Sequence, residues 1–245
     1  IYALQAEAWI QNVINLPHWD INYGLKMSYT QYQRDGHMRN GRAPGNSLGK
    51  SAMQRFDNAG VKVGATYKLD GRNYFTAHLD YGTRAPLFDN VYIAPRVKNT
   101  TVVNPANERD FSADLSYTWN YRRFRGSITG YYTEMDNAIE RNGFYDESYQ
   151  TYANYVLTDV KRVYKGIELG MAYKNTPSLT ATIAGTVSRF QYKNNPLGTR
   201  SFENGMHPDT TQTVYLKNYY LGSVPQTQAN LGLDWAAPGN WFFNV

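Results

Sequence analysis

The chain of 245 residues contains no cysteine. Disulfides, thiolate metal sites and cysteine nucleophiles are thereby excluded. No apolar stretch approaches the roughly 20 residues that a membrane-crossing helix needs. Histidine is scarce. His18, His37, His78 and His207 stand alone, without the HxxH or HExxH spacing of a zinc hydrolase. His207 and Asp209 flank Pro208, which is too small a set to hold a metal, so neither a metal nor any other cofactor is expected. Basic residues number 25 against 20 acidic ones, a net charge of +5, but they are scattered singly. No RNP1 or zinc-finger pattern gathers them, so no nucleic acid partner is expected, and a mildly basic surface facing anionic lipid accounts for the excess. The chain starts at Ile1 without a leader and stops at Trp241–Val245 inside an alternating segment. A piece of a larger molecule, truncated at both ends, is therefore the expectation.

What is abundant is tyrosine, 22 residues, within an aromatic content of 15%. Such a composition suits strands and membrane-interface belts. The strands are visible as alternation with a period of two. Trp19, Ile21, Tyr23, Leu25, Met27 and Tyr29 share one parity, against Asp20, Asn22, Gly24, Lys26, Ser28 and Thr30 on the other. Phe111, Ala113, Leu115, Tyr117 and Trp119 repeat the pattern against Ser112, Asp114, Ser116, Thr118 and Asn120. About ten such segments follow one another, each of the length that a tilted strand needs to cross a bilayer.

The connections alternate short and long. Tight turns are expected at Leu16-Pro17-His18, Asp70-Gly71, near Arg122, at Asn175-Thr176-Pro177 and at Ala237-Pro238-Gly239. Long polar loops are expected over residues 34–56, 84–107, 137–163 and 191–225. Trp19, Trp119, Trp235 and Trp241 lie close to the tight turns, joined by Tyr67, Phe75, Phe124 and Tyr173. This is the pattern of an all-β, antiparallel transmembrane β-barrel with short periplasmic turns, long extracellular loops and an aromatic girdle. A soluble barrel would carry its apolar parity inside instead. Alternation by itself does not say which parity points inward.

The stretch from Tyr81 to Tyr117 carries Arg84-Ala85-Pro86 at a strand end, then Asn104-Pro105 and Glu108 leading into the next amphipathic strand. It resembles the strand–loop–strand of TonB-dependent outer-membrane receptors, and Tyr164–Gly170 (YKGIELG) resembles a strand start common in that family. The segment GHMRNGRAPGNSLGKS is similar to receptors of the Bacteroidetes type. The resemblance covers nearly the whole chain. It implies that residues 1–245 are a partial TonB-dependent receptor β-barrel domain without its plug. It further implies an outer-membrane location at the Gram-negative cell surface, a TonB-type energy-coupling partner acting through the absent plug, a surface lipoprotein capping the loops, and import of a scarce nutrient rather than catalysis. An iron chelate, cobalamin, an oligosaccharide and a peptide all fit this chain.

Ligand contacts are expected in the long loops. The second loop offers Arg84, Asp89, Asn90, Tyr92 and Arg96. The third offers Arg141, Tyr145, Tyr149, Tyr152 and Tyr155. Tyrosine presents a broad apolar face with a polar tip, which suits sugars, peptides and aromatic chelators. It equally suits packing a loop against its neighbours. Gly45–Gly49 (GNSLG) has the outline of a nucleophile elbow but lacks the strand–turn–helix context. Two readings from other classes stay open on the residues alone: an outer-membrane barrel enzyme of protease or lipase type, and a soluble carbohydrate-binding β-protein.

Overall fold

The computed structural model describes residues 1–41, 43–222, 224–237 and 239–245. In chain order the elements are β1 (Tyr2–Asn15), β2 (Trp19–Gln33), β3 (Asp35–Gly36), β4 (Gly49–Lys50), β5 (Gln54–Lys68), β6 (Asn73–Arg84), α1 (Phe88–Val91) and β7 (Glu108–Asn120). They continue with β8 (Phe124–Asp146), β9 (Thr151–Thr176), β10 (Leu179–Tyr192), β11 (Leu197–Phe202), β12 (Thr210–Thr213), β13 (Thr227–Ala237) and β14 (Trp241–Asn244). Ten strands form an antiparallel meander in the order β1-β2-β5-β6-β7-β8-β9-β10-β13-β14, and β11 and β12 extend it beside β9. The sheet is open, because β1 and β14 each pair with one neighbour.

The register carries the apolar parity around the sheet without a break. Tyr23 stands opposite Val63, Val63 opposite Leu79, Leu79 opposite Ala113, and Ala113 opposite Tyr132. Farther on, Ile167 stands opposite Val187, and Ile183 opposite Leu231. This apolar face is the more accessible one. Leu79, Leu115, Ile167 and Leu231 are 55%, 60%, 57% and 73% exposed, while Thr76, His78, Ser112 and Asp114 on the other parity are half-buried. A water-soluble sheet would bury the first set and expose the second. The polar parity thus lines the less accessible side, as the concave face of a curved sheet does.

The short connections lie at one end of the sheet. Leu16 N donates to Trp19 O at 2.7 Å, Leu69 N to Asn73 O at 3.0 Å and Tyr121 N to Phe124 O at 2.9 Å. At Asp70-Gly71 the Asp70 carboxylate accepts from the backbone N–H groups of Arg72 and Asn73 and from the Asn73 amide, at 2.7–3.0 Å. These bonds, that to Asn73 first, hold the exposed Asp70 carboxyl below its ordinary pKa. The buried Asn73 also accepts from Tyr117 Oη at 2.8 Å, which ties this turn to β7. In the last turn Pro238 lies outside the described residues. Gly239 and Asn240, at φ 84° and 63°, bring the chain round. Above the turns runs the girdle. Trp19 packs on Tyr67 at 4.8 Å, Phe75 on Tyr117 at 4.8 Å, and Trp119 on Tyr117 and Phe124 at 5.6 Å each. Gly126 leaves room for the Trp119 indole, since a Cβ there would lie 2.7 Å from Trp119 Cζ2.

The long connections differ from the loops expected. Residues 137–163 are largely strand. β8 runs for 23 residues and β9 for 26, and only residues 147–150 join them. A bilayer crossing takes about 9–11 residues, so this hairpin projects well beyond an apolar band of that height. Its alternation is hidden by bulges. The β8–β9 register shifts between Met135 and Ala138 and again between Ala138 and Glu140. Asn137 at φ 60° and Asp159 at φ 57° adopt the left-handed conformation that Asn and Asp tolerate. Each extra residue flips the parity, so the sequence pattern reads as a break. Residues 191–225, expected as loop, contain β11 and β12, with β11 paired to the upper part of β9. The loop over 34–56, of which Arg42 lies outside the described residues, contains the β3–β4 pair and the start of β5. The loop over 84–107 contains α1.

Replacing Asn73 by Ala removes the amide that holds Asp70 and the oxygen that receives Tyr117. We expect a loss of about 1–3 kcal/mol in unfolding free energy, measured by urea titration followed by tryptophan fluorescence.

Candidate functional site in the outer layer

Among the described residues, three buried apolar clusters lie at the long-connection end. Phe56, Val91 and Tyr92 form one, with Tyr32, Ala85 and Phe88 packed against them. Ile93, Val102, Ile139 and Val156 form the second, and Ala138, Leu157 and Val160 the third. The connections therefore build an ordered outer layer on the projecting β8–β9 hairpin.

Arg34 locks the first two connections together. It is 8% exposed. Its Nε donates to Pro95 O at 2.5 Å, and its Nη1 to Ser47 O at 3.0 Å and Asn99 Oδ1 at 2.5 Å. Its backbone N–H donates to Ser51 Oγ and Tyr92 Oη at 3.0 and 3.1 Å. Gly36 is required beside it, because a Cβ there would overlap the Ser47 carbonyl. Ser47, the serine of the GNSLG outline, is 1% exposed and accepts through Oγ from Asn40 N at 2.8 Å. It serves this junction.

The site residues expected from the sequence fall into two groups. One group comes together on the outer surface. Arg141 donates through Nη1 to Asp89 O at 3.1 Å and through Nη2 to Asn154 Oδ1 at 2.7 Å. Asn154 Nδ2 donates to Glu203 Oε1 at 3.0 Å, and Arg96 Nη2 reaches the same oxygen at 2.9 Å. The Arg96 guanidinium lies over the Tyr152 ring at 5.3 Å, and Tyr152 meets Tyr145 edge-on at 5.6 Å. Asn90 braces the group, donating to Ile139 O at 2.9 Å. Burial lowers the Arg141 pKa, Asp89 and Glu203 oppose that shift, and Arg96 adds to it. A guanidinium so placed remains charged at neutral pH. Beside this group, Tyr149 packs against Phe202 at 4.6 Å and His207 at 4.9 Å, and the Arg200 guanidinium lies over Phe202 at 5.1 Å.

The other group is placed elsewhere. Arg84 pairs with Glu108 at 2.8 Å and Asp110 at 3.5 Å at the end of β6. Tyr92 is fully buried, with its hydroxyl between Arg34 and Ser51. Tyr155 is half-buried against the Leu157 cluster. The residues that complete the surface group and escaped sequence reasoning are Asn154, Phe202 and Glu203, and His207, weighed in the sequence only as a metal ligand, packs beside them. Arg96 and Glu203 are 107 positions apart, and no local pattern joins them.

What this surface can do is bind. Tyr145, Tyr149 and Tyr152 are 54%, 39% and 49% exposed and stand among Arg96, Arg200 and Glu203. Flat, apolar or anionic groups would find stacking faces and charge-assisted donors there. Among the described residues no group of three or more His, Asp or Glu is placed to hold a metal ion.

The family model described as TonB dependent receptor-like, beta-barrel matches residues 2–245. No curated protein sequence matches the chain. Among solved structures it is similar to the copper transporter OprC, at 13% identity and a TM-score of 0.71, covering 98% of this chain and 34% of that one. It is also similar to the FrpB iron transporter from Neisseria meningitidis (13% identity, TM-score 0.59, 97% and 39% covered). A third is the ferric yersiniabactin uptake receptor FyuA from Yersinia pestis (14% identity, TM-score 0.53, 96% and 38% covered). The chain thus spans well under half the length of each, and at these identities the likeness establishes the fold.

Replacing Arg34 by Ala leaves the Ser47 and Pro95 carbonyls without their donor. We expect the connections over 34–56 and 84–107 to become sensitive to added protease, while the β-sheet content measured by circular dichroism stays that of the parent. Equal protease resistance in variant and parent would contradict the role assigned to Arg34.

Proposed function

The chain belongs to the TonB-dependent receptor-like β-barrel family, and on that premise we propose that it is part of an outer-membrane transporter that captures a scarce nutrient from outside the cell. One observation carries this reading. The apolar face of the meander is the accessible one, with tight turns at one end and a packed layer carrying exposed tyrosines at the other. An apolar face of this kind needs a hydrocarbon neighbour, and a strand meander meets that need without leaving backbone groups unpaired. The open edges at β1 and β14, and coverage of 34–39% of the neighbouring structures, support reading residues 1–245 as a section of a larger barrel domain.

In this reading the nutrient meets Arg96, Tyr145, Tyr149 and Tyr152, while Asp89, Asn90 and Arg141 hold those groups in place. Arg84, Tyr92 and Tyr155 maintain the scaffold. Release into the periplasm then requires a plug outside this chain and a TonB-type partner that pulls on it. The Bacteroidetes-type resemblance adds a surface lipoprotein over the outer layer. Copper, iron and a ferric siderophore are what the neighbouring structures are named for. With oligosaccharides, peptides and cobalamin, they form the set of nutrients to test. The role is transport, and the outer layer supplies binding groups rather than a nucleophile and base.

A strain lacking the gene should lose growth on one limiting nutrient of this set and regain it with the parent gene. Growth unchanged on every one would overturn the proposal. The Tyr145→Ala/Tyr152→Ala double variant removes two aromatic faces and should weaken binding of that nutrient by roughly tenfold or more, measured on whole cells with the labelled nutrient.

A further inference from the structure

The register places two cations opposite each other with no acid between them. Lys165 on β9 faces Arg189 on β10. Both are exposed and both lie on the apolar parity, in the row that also contains Tyr132. One step below them on the same face are Ile167 and Val187, 57% and 67% exposed. The step is two residues, about 7 Å along a strand. The pair therefore sits where the exposed apolar band ends.

Like charges directly opposite on neighbouring strands repel. Proteins usually relieve such a pair with a carboxylate, and here the nearby carboxylates are engaged. Glu134 receives Lys193 at 2.5 Å and has Lys161 at 3.7 Å. Asp136 receives Arg109 at 2.6 Å and has Lys161 at 3.3 Å. Among the described residues Lys165 makes no ion pair, and Arg189 has only the Tyr220 ring, 5.9 Å from its guanidinium carbon. Arg109, Lys161, Lys165, Arg189 and Lys193 stand against Glu134 and Asp136, five positive charges against two negative, an excess of three. Tyr132 and Tyr220 flank the pair as interfacial aromatics do.

We propose that Lys165 and Arg189 form a binding site for the phosphate of an anionic membrane lipid, seated at headgroup level on the outward face of the sheet. The guanidinium supplies a bidentate fork and the ammonium a point charge, which together suit one phosphate group. Tyr132 and Tyr220 border it, and the acyl chains lie along Ile167 and Val187. A phosphate here removes the repulsion between the two cations, so the lipid stabilises the β9–β10 pairing beneath it. The inference rests on the reading that the apolar face meets a membrane.

The test uses the full-length protein in nanodiscs of phosphatidylcholine, with and without an equal share of lipid A. The parent protein should gain a few degrees in Tm with lipid A, and the gain should disappear in Lys165→Gln/Arg189→Gln. The Lys165→Arg variant, which keeps the charge, should retain it and guards against misfolding of the double variant. An equal gain in the double variant, or none in the parent, overturns the site. A gain reproduced by inorganic phosphate in neutral detergent would make it a free-anion site and overturn the lipid assignment. Failure of the protein to enter nanodiscs would overturn the membrane reading beneath it.

Discussion

Everything in this molecule follows from one requirement, that each strand's backbone pairs with a neighbour while one whole face stays apolar. A backbone N–H or C=O left without a partner beside apolar side chains costs free energy, so the pairing runs without gaps. The meander from β1 to β14 does this with consecutive antiparallel neighbours only. Because side chains alternate strictly, a single slip of register would turn leucines inward and aspartates outward. The unbroken row from Tyr23 through Val63, Leu79 and Ala113 to Tyr132 is the evidence that no such slip occurs in that part of the sheet.

That requirement also decides where a core can form. Across the band the apolar side chains face outward and the inner face is polar. Its cross-strand partners are hydrogen bonds such as Ser116 with Thr129 at 2.8 Å and Ser112 with Thr133 at 3.0 Å. Among the described residues the buried apolar clusters lie past the band, where the long connections meet the β8–β9 hairpin. There a buried arginine, Arg34, is satisfied by carbonyl and amide oxygens rather than by a carboxylate, and it spans two connections at once. The surface group of Arg96, Glu203, Asn154 and Arg141 is built on that layer, so side chains drawn from three connections share one support.

The bulges at Asn137 and Asp159 explain why residues 137–163 read as loop in the sequence. Strand pairing continues through them, but the parity changes, and period-two reasoning sees an interruption. Tyr145, Tyr152 and Tyr155, expected in a loop, stand on strands. Their fates then differ by face and neighbour: Tyr152 carries Arg96 on its ring, while Tyr155 packs inward on Leu157. Tyr92 shows the same limit. Its hydroxyl and ring mark a ligand contact and a buried hydrogen-bonding core residue equally well, and only its position against Arg34 and Ser51 separates the two.

The ten amphipathic segments, their tight turns and the alternation of connection length were written in the sequence, because strand periodicity and turn chemistry are local. So was the girdle near the short turns. Tertiary structure decided which parity is exposed, since alternation is symmetric under exchange of faces. It decided that the long connections form a packed layer, since that depends on contacts such as Arg96 with Glu203 across 107 residues. It also set Lys165 opposite Arg189, because register between strands is fixed by pairing and not by either strand alone.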